Sequence, residues 1–141
     1  MIKVKRLYTE AKMMKKAFEG DAGFDVFCMK DFTIYPRQTE TIGLGLATEF
    51  EPGNVLQVCD KSGLAVKKGI FTIGGIIDSN YRGEIHVCLA NFSSLPVKFE
   101  AGQKVAQLIL MSCYTGKDIE VVEVMSETDR GEGGFGSTGD C

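Results

Sequence analysis

Along much of this chain apolar and polar residues alternate, and few recur at helical spacing. Over 84–92, Ile85, Val87 and Leu89 alternate with Glu84, His86, Cys88 and Ala90, the period of two that buries one face of a strand. Stretches rich in β-branched and aromatic residues recur at 24–27, 42–50, 55–59, 70–77, 84–92, 97–99, 104–112 and 119–124, and each predicts a strand. Turn chemistry separates them: Asp21-Ala22-Gly23, Glu51-Pro52-Gly53-Asn54, Asp78-Ser79-Asn80, Ser93-Ser94-Leu95-Pro96 and Ala101-Gly102. Helical spacing is scarce, predicting a short helix over 9–18 and one or two turns over 62–67. Many short strands with few helices predict an all-β fold, a jelly-roll-like β-sandwich or barrel with one short helix. No boundary or repeat divides residues 1–125, which read as one core domain. Residues 126–141 differ in kind, with glycines at 131, 133, 134, 136 and 139 and almost no aliphatic side chain. That composition packs no core and predicts a mobile Gly-rich C-terminal arm.

Composition narrows the function classes. At 141 residues the chain can bury roughly 70% of its unfolded surface in one core and needs no metal or disulfide staple. Its net charge of −3 speaks against a general nucleic-acid or membrane-surface binder, while leaving room for a small anion met by a few cations. Lys3, Lys5 and Arg6 lead into no apolar run, and no stretch approaches 18 apolar residues, so neither a signal peptide nor a membrane span is expected. Cysteines at 28, 59, 88, 113 and 141 form no C-x-x-C pair, and His86 is the single histidine. Zinc spacing is therefore absent, and reduced thiols in a cytoplasmic protein are expected.

Three clusters carry candidate chemistry. The arm runs Arg130-Gly131-Glu132-Gly133-Gly134-Phe135-Gly136-Ser137-Thr138-Gly139. It reads either as a flexible terminus or as an anion clamp, in which glycine amides, two hydroxyls and a guanidinium converge on phosphate and Phe135 stacks on a planar ring. Asp60-Lys61-Ser62-Gly63 stands between a strand and a helical turn, where Ser62 is either a simple N-cap or part of an anion site. Gly74-Gly75-Ile76-Ile77-Asp78-Ser79-Asn80-Tyr81-Arg82-Gly83-Glu84 forms a hairpin whose turn carries a carboxylate and a tyrosine. Asp78 there is either an Asx-turn residue or a general base. Gln107, an amide inside an apolar strand, needs hydrogen-bond partners in protein or ligand. His86 reads as a packing residue of its strand.

Taken in order, these segments resemble the five signature motifs of the trimeric deoxyuridine triphosphatase (dUTPase) family. They are Ala22-Gly23-Phe24-Asp25-Val26, Lys61-Ser62-Gly63-Leu64-Ala65, Gly75 through Glu84, Gly102 with Val105-Ala106-Gln107-Leu108-Ile109, and Arg130 through Gly139. The resemblance implies a jelly-roll homotrimer that hydrolyses dUTP to dUMP and pyrophosphate with Mg²⁺, keeping uracil out of DNA and supplying dUMP for thymidylate synthesis. By the same resemblance Asp78 is the base that activates water, and Tyr81 packs on the deoxyribose. The backbone around Ile73 to Ile77 reads the uracil edge. Asp25 holds the metal through its water shell. Lys61, Ser62, Gly63 and Gln107 contact phosphate; Arg130, Gly136, Ser137 and Thr138 hold the outer phosphates while Phe135 covers the uracil. Each site is implied to lie between subunits, with hairpin and arm from different chains.

Departures from that pattern are few. Asp60-Lys61 stands where Pro-Arg is usual, Lys104 replaces an arginine, and Asn80 replaces an acid. Lysine keeps the charge and loses the bidentate fork. A deaminase of dCTP shares the fold but normally lacks the glycine-rich fifth motif, so the intact arm favours the hydrolase. A non-enzymatic binding protein on the same scaffold would be expected to lose Asp78 first.

Overall fold

The computed structural model describes residues 1–116 and 119–134. Eleven strands and one helix follow in chain order: β1 (Ile2–Arg6), β2 (Gly23–Phe27), β3 (Phe32–Ile34), β4 (Thr39–Gly43), β5 (Leu46–Phe50), β6 (Asn54–Cys59), α1 (Ser62–Lys68), β7 (Ile70–Ile73), β8 (Ile76–Asp78), β9 (His86–Asn91), β10 (Val97–Phe99) and β11 (Lys104–Ser112). A four-stranded sheet has the order β2-β11-β6-β8 and a three-stranded sheet the order β4-β9-β7, with β1-β5 and β10-β3 as two-stranded ribbons. Every pairing between named strands is antiparallel.

The alternation of β9 holds from His86 to Leu89, with Val87 and Leu89 buried and His86 exposed, and ends at Ala90, which is buried too. One continuous core joins Val26, Leu56, Val58, Ala106 and Leu108 of the four-stranded sheet to Ile42, Ile70, Val87 and Leu89 of the three-stranded one. Ile34 and Phe99 close it from the β10-β3 ribbon. This is the all-β, jelly-roll sandwich with a single short helix that the strand pattern predicts.

Two long apolar runs are each broken into two strands. The run 70–77 turns at Gly74 and Gly75, both at positive φ, and a β-carbon on Gly75 would strike Val58. Only glycine fits there, because Val58 donates its N–H to the Gly75 carbonyl at 2.7 Å and holds the two backbones close. The run 42–50 breaks at Leu44 and Gly45, and the Gly45 N–H donates to the Glu84 carboxylate at 2.7 Å. Two expectations fail. Residues 9–18 form no helix; their backbone bridges the free edge of β2, with Lys15 and Asp25 exchanging N–H···O bonds of 2.8 and 3.2 Å. An uncovered strand edge outweighs weak helical spacing. Residues 119–124 are not a strand, since no strand among the described residues pairs with them.

Among the described residues Cys28, Cys59, Cys88 and Cys113 are free thiols. Burial pushes the Cys28 thiol up, and it donates to the Glu100 carbonyl at 3.0 Å. No helix among the described residues is long and apolar enough to cross a membrane.

Candidate active site

The first four of the five motif segments contribute to two separate groups of side chains. The first group gathers where β2, β11 and the end of β6 run side by side. Asp25 lies opposite Gln107 across β2 and β11, and Gln107 lies opposite Cys59 across β11 and β6. That register places Asp25, Gln107 and the Asp60-Lys61 step in adjacent rows. Asp25 is 3% exposed, its backbone fastened to Lys15 on one edge and its strand to β11 on the other.

Both carboxylate oxygens of Asp25 are ion-paired. Lys61 Nζ meets Oδ1 at 2.6 Å and Lys104 Nζ meets Oδ2 at 2.6 Å. Burial pushes this carboxyl up, but the hydrogen bonds from Lys104 and Lys61, together with their charges, outweigh it and hold it below the usual carboxylate range. A buried charge so paired stays ionised, and it brings two ammonium groups together at one point of the surface.

Gln107 is braced within the same group. Its Nε2 donates to the Asp60 carbonyl at 2.9 Å, and its Oε1 fills the space that a β-carbon on Gly23 would need. A β-carbon at Gly23 would thus displace the Gln107 amide from this position. Beyond Lys61, Ser62 and Gly63 are exposed in the first turn of α1, where amide groups have no partner inside the helix. Lys67 and Lys68 occupy the last turn, the end that favours cations.

The second group occupies the opposite end of β6. Asp78 ends β8 opposite Val55, and the buried Ile77 lies opposite Leu56. Val55 and Lys61 are six positions apart along extended chain, or roughly 20 Å at ~3.3 Å per residue. Asp78 and the Asp25 group are therefore not brought together within one chain. The turn after Asp78 is compact: Tyr81 donates its N–H to the Asp78 carbonyl at 3.1 Å and its hydroxyl to the Glu84 carbonyl at 2.9 Å. The ring lies against Gly83, where a β-carbon would collide with it. Arg82 donates to the carbonyls of Ser79 at 2.7 Å and Tyr81 at 3.0 Å. Asp78 itself is exposed.

Of the arm, Arg130 is described and donates to the Gly133 carbonyl at 3.0 Å through Nε. Phe135, Gly136, Ser137 and Thr138 lie outside the described residues. Lys104 and Thr72 also belong to the site's hydrogen-bonded network. Lys104 is visible in the sequence as a departure from the motif pattern, whereas Thr72 meets Asp60 from twelve positions away and no local pattern announces it.

A jelly roll with a buried, doubly paired carboxylate on one strand and an exposed carboxylate at the end of another defines a recognisable class, and comparisons with known proteins agree on which. The dUTPase family model matches residues 9–139. Deoxyuridine 5'-triphosphate nucleotidohydrolases from Picosynechococcus sp. and Nautilia profundicola are 40% and 41% identical over 140 residues, covering 98% of this chain and 98% of each relative. That of Helicobacter pylori strain P12 is 38% identical, covering 98% of this chain and 96% of its own. The chain belongs to the dUTPase family, and it is accordingly a hydrolase. The fold matches a mutant of the Staphylococcus bacteriophage 80alpha dUTPase with dUpNHpp at a TM-score of 0.91, with 24% identity over 99% of both chains. A phage phi11 dUTPase mutant, described with a structural Mg(II) ion, superposes at 0.83 with 20% identity, covering 90% of this chain and 99% of that one.

Proposed function

We propose that this chain hydrolyses dUTP to dUMP and pyrophosphate at sites shared between subunits of a homotrimer. The observation that carries the reading is the pair of lysines converging on buried Asp25 beside Ser62 and Gly63. Two cations held at one point of the surface, next to unpartnered helix amides, suit a polyphosphate. Lys61, Ser62, Gly63 and Gln107 form the phosphate side, with Gln107 bracing the main chain ahead of Lys61.

Asp78 acts as general base. It takes a proton from a water whose oxygen bonds to the α-phosphorus while the bond from that phosphorus to the pyrophosphate oxygen breaks. Its exposure suits a group that must meet water and a substrate. Tyr81, pinned by its hydroxyl and its contact with Gly83, offers a fixed ring against the deoxyribose, and the Ile73 to Ile77 backbone reads uracil. Arg130, Gly136, Ser137 and Thr138 hold the outer phosphates and Phe135 covers the base.

Both Asp25 oxygens already face an ammonium group, so a magnesium ion here would be held mainly by phosphate oxygens and water. Among the described residues no three His, Cys, Asp or Glu side chains cluster for a metal, and Asp25 is the single buried aspartate or glutamate. Mg²⁺ takes one or two carboxylates and completes its shell with phosphate oxygens and waters. Asp25 would hold such an ion through its water shell. The ion would supply neutralisation of phosphate charge.

Separation of Asp78 from the Asp25 group along β6 supports a site built from two chains. The exposed run Ile119, Val121, Val122, Val124 and Met125 supports a neighbouring copy that covers it. A closed three-fold ring makes such sharing self-consistent. In cells the reaction would keep uracil out of DNA and supply dUMP for thymidylate synthesis. The test is pyrophosphate release from dUTP with and without EDTA. Release that stops with EDTA and returns with Mg²⁺ is expected; binding of dUTP without release would overturn the enzymatic mechanism.

A further inference from the structure

Asp60 lies at the step where β6 ends and α1 begins, and three elements meet on it. Its Oδ1 accepts two hydrogen bonds from Thr72 of β7, from the backbone N–H at 2.6 Å and from the hydroxyl at 2.7 Å. Its carbonyl oxygen accepts the bond from Gln107 of β11 at 2.9 Å. One residue is thus tied to β7 by its side chain and to β11 by its main chain. Hydrogen bonds to a carboxylate are the stronger kind, and two share this oxygen.

Immediately after Asp60 the chain enters the phosphate side of the site. Lys61 takes the N-cap position of α1 with no side-chain capping bond; its carbonyl accepts from the N–H groups of Leu64 at 2.8 Å and Ala65 at 3.0 Å, so the helix holds its start by the backbone alone. Lysine is a point charge on a flexible stem, and its reach depends on where its backbone is held. Thr72 belongs to β7, which pairs with β9 and passes through Gly74 and Gly75 into β8 of the other sheet.

We propose that Asp60 is a positioning residue: through Thr72 and Gln107 it pins the Lys61-Ser62 turn so that ammonium and hydroxyl meet the triphosphate together. The proposal rests on the assignment of Lys61 and Ser62 to phosphate. Displacement of a binding group by about 1 Å is enough to cost ~10²-fold in rate. Asp60 touches no reacting atom and acts only through its neighbours.

The test compares two ligands in Asp60→Ala, Asp60→Asn and Thr72→Val. Dissociation constants are measured for dUMP and for dUpNHpp, with a thermal melt of each variant. Asp60→Ala is expected to weaken dUpNHpp binding by about 10-fold or more and dUMP binding by less than about 3-fold. Asp60→Asn keeps the Oδ1 acceptor and is expected to restore dUpNHpp binding to within about 3-fold of wild type. Thr72→Val removes one of the two bonds and should fall between them, with no added loss in the Asp60→Ala, Thr72→Val double variant. Equal weakening of both ligands would mark a merely structural role and overturn the proposal, as would unchanged binding of dUpNHpp. Failure of the underlying assignment reads differently: the wild-type chain would then bind dUpNHpp no more tightly than dUMP.

Discussion

The Asp25 group and the Asp78 turn use the same side-chain type in opposite ways. Asp25 is buried, ion-paired at both oxygens and fastened by its strand to both neighbours. Asp78 is exposed at a strand end, and the turn beyond it is held by backbone bonds and a tyrosine hydroxyl. A carboxylate meant to organise cations benefits from a dry, rigid setting, where its charge is felt most strongly. A carboxylate meant to move a proton must reach water. For the base role proposed for Asp78, burial like that of Asp25 would remove its access to the attacking water.

That contrast breaks first at Asp78. Asp78→Asn should lower turnover of dUTP by about 10²–10⁴-fold, measured as pyrophosphate release. Binding of dUpNHpp should stay within a few-fold, and the melting temperature should hardly move, because an exposed side chain is replaced by its isostere. A near wild-type rate would remove Asp78 from the base role.

Asp25→Ala should show the other behaviour, losing stability as well as activity. It leaves two ammonium groups side by side without their partner. Removing one member of a fully buried pair costs roughly 3–5 kcal/mol. Here the lysine side chains are 28% and 45% exposed, so water takes up part of their charge and about 2 kcal/mol is expected. Urea unfolding measures it. An unchanged midpoint would mean that the ion pairs do not hold this corner together.

Tyr81→Ala gives the smallest effect of the series and sharpens the selectivity side. The preference for dUTP over UTP, as a ratio of kcat/KM, should fall by about 10-fold. The ring is held from two sides, and its removal opens space where a 2′-hydroxyl would go. An unchanged ratio would assign sugar selection elsewhere.

Legibility in the sequence follows the same division. The break of the apolar run 70–77 at Gly74 and Gly75 is not readable, since its composition predicts one strand, whereas local chemistry is: the alternation of β9, the start of α1 and the carboxylate of Asp78 all rest on residues within a few positions of one another. The Asp25 corner is not. Lys61 and Lys104 reach Asp25 from 36 and 79 positions away, and Asp60 reaches Thr72 across a helix, so only the sheet register brings them together. Residues 9–18 mislead because a strand edge competes with helical spacing. Residues 119–124 mislead because β-branched composition makes a strand only where a partner edge is present. The arm beyond Gly134 adds Phe135, Ser137 and Thr138, whose roles rest on the motif alone.

The shared site is tested most directly by mixing subunits. One parent carries Asp78→Asn and the other Lys61→Ala with Ser62→Ala, each of low activity by itself. The two are unfolded together in equal amounts and refolded, and dUTP hydrolysis is measured per subunit. If one chain's hairpin meets another chain's phosphate group, an intact site needs a suitable chain on each side, and random assembly restores about a quarter of wild-type activity. Activity no greater than the mean of the two parents would contradict the shared site and would require Asp78 and Lys61 to meet within one chain.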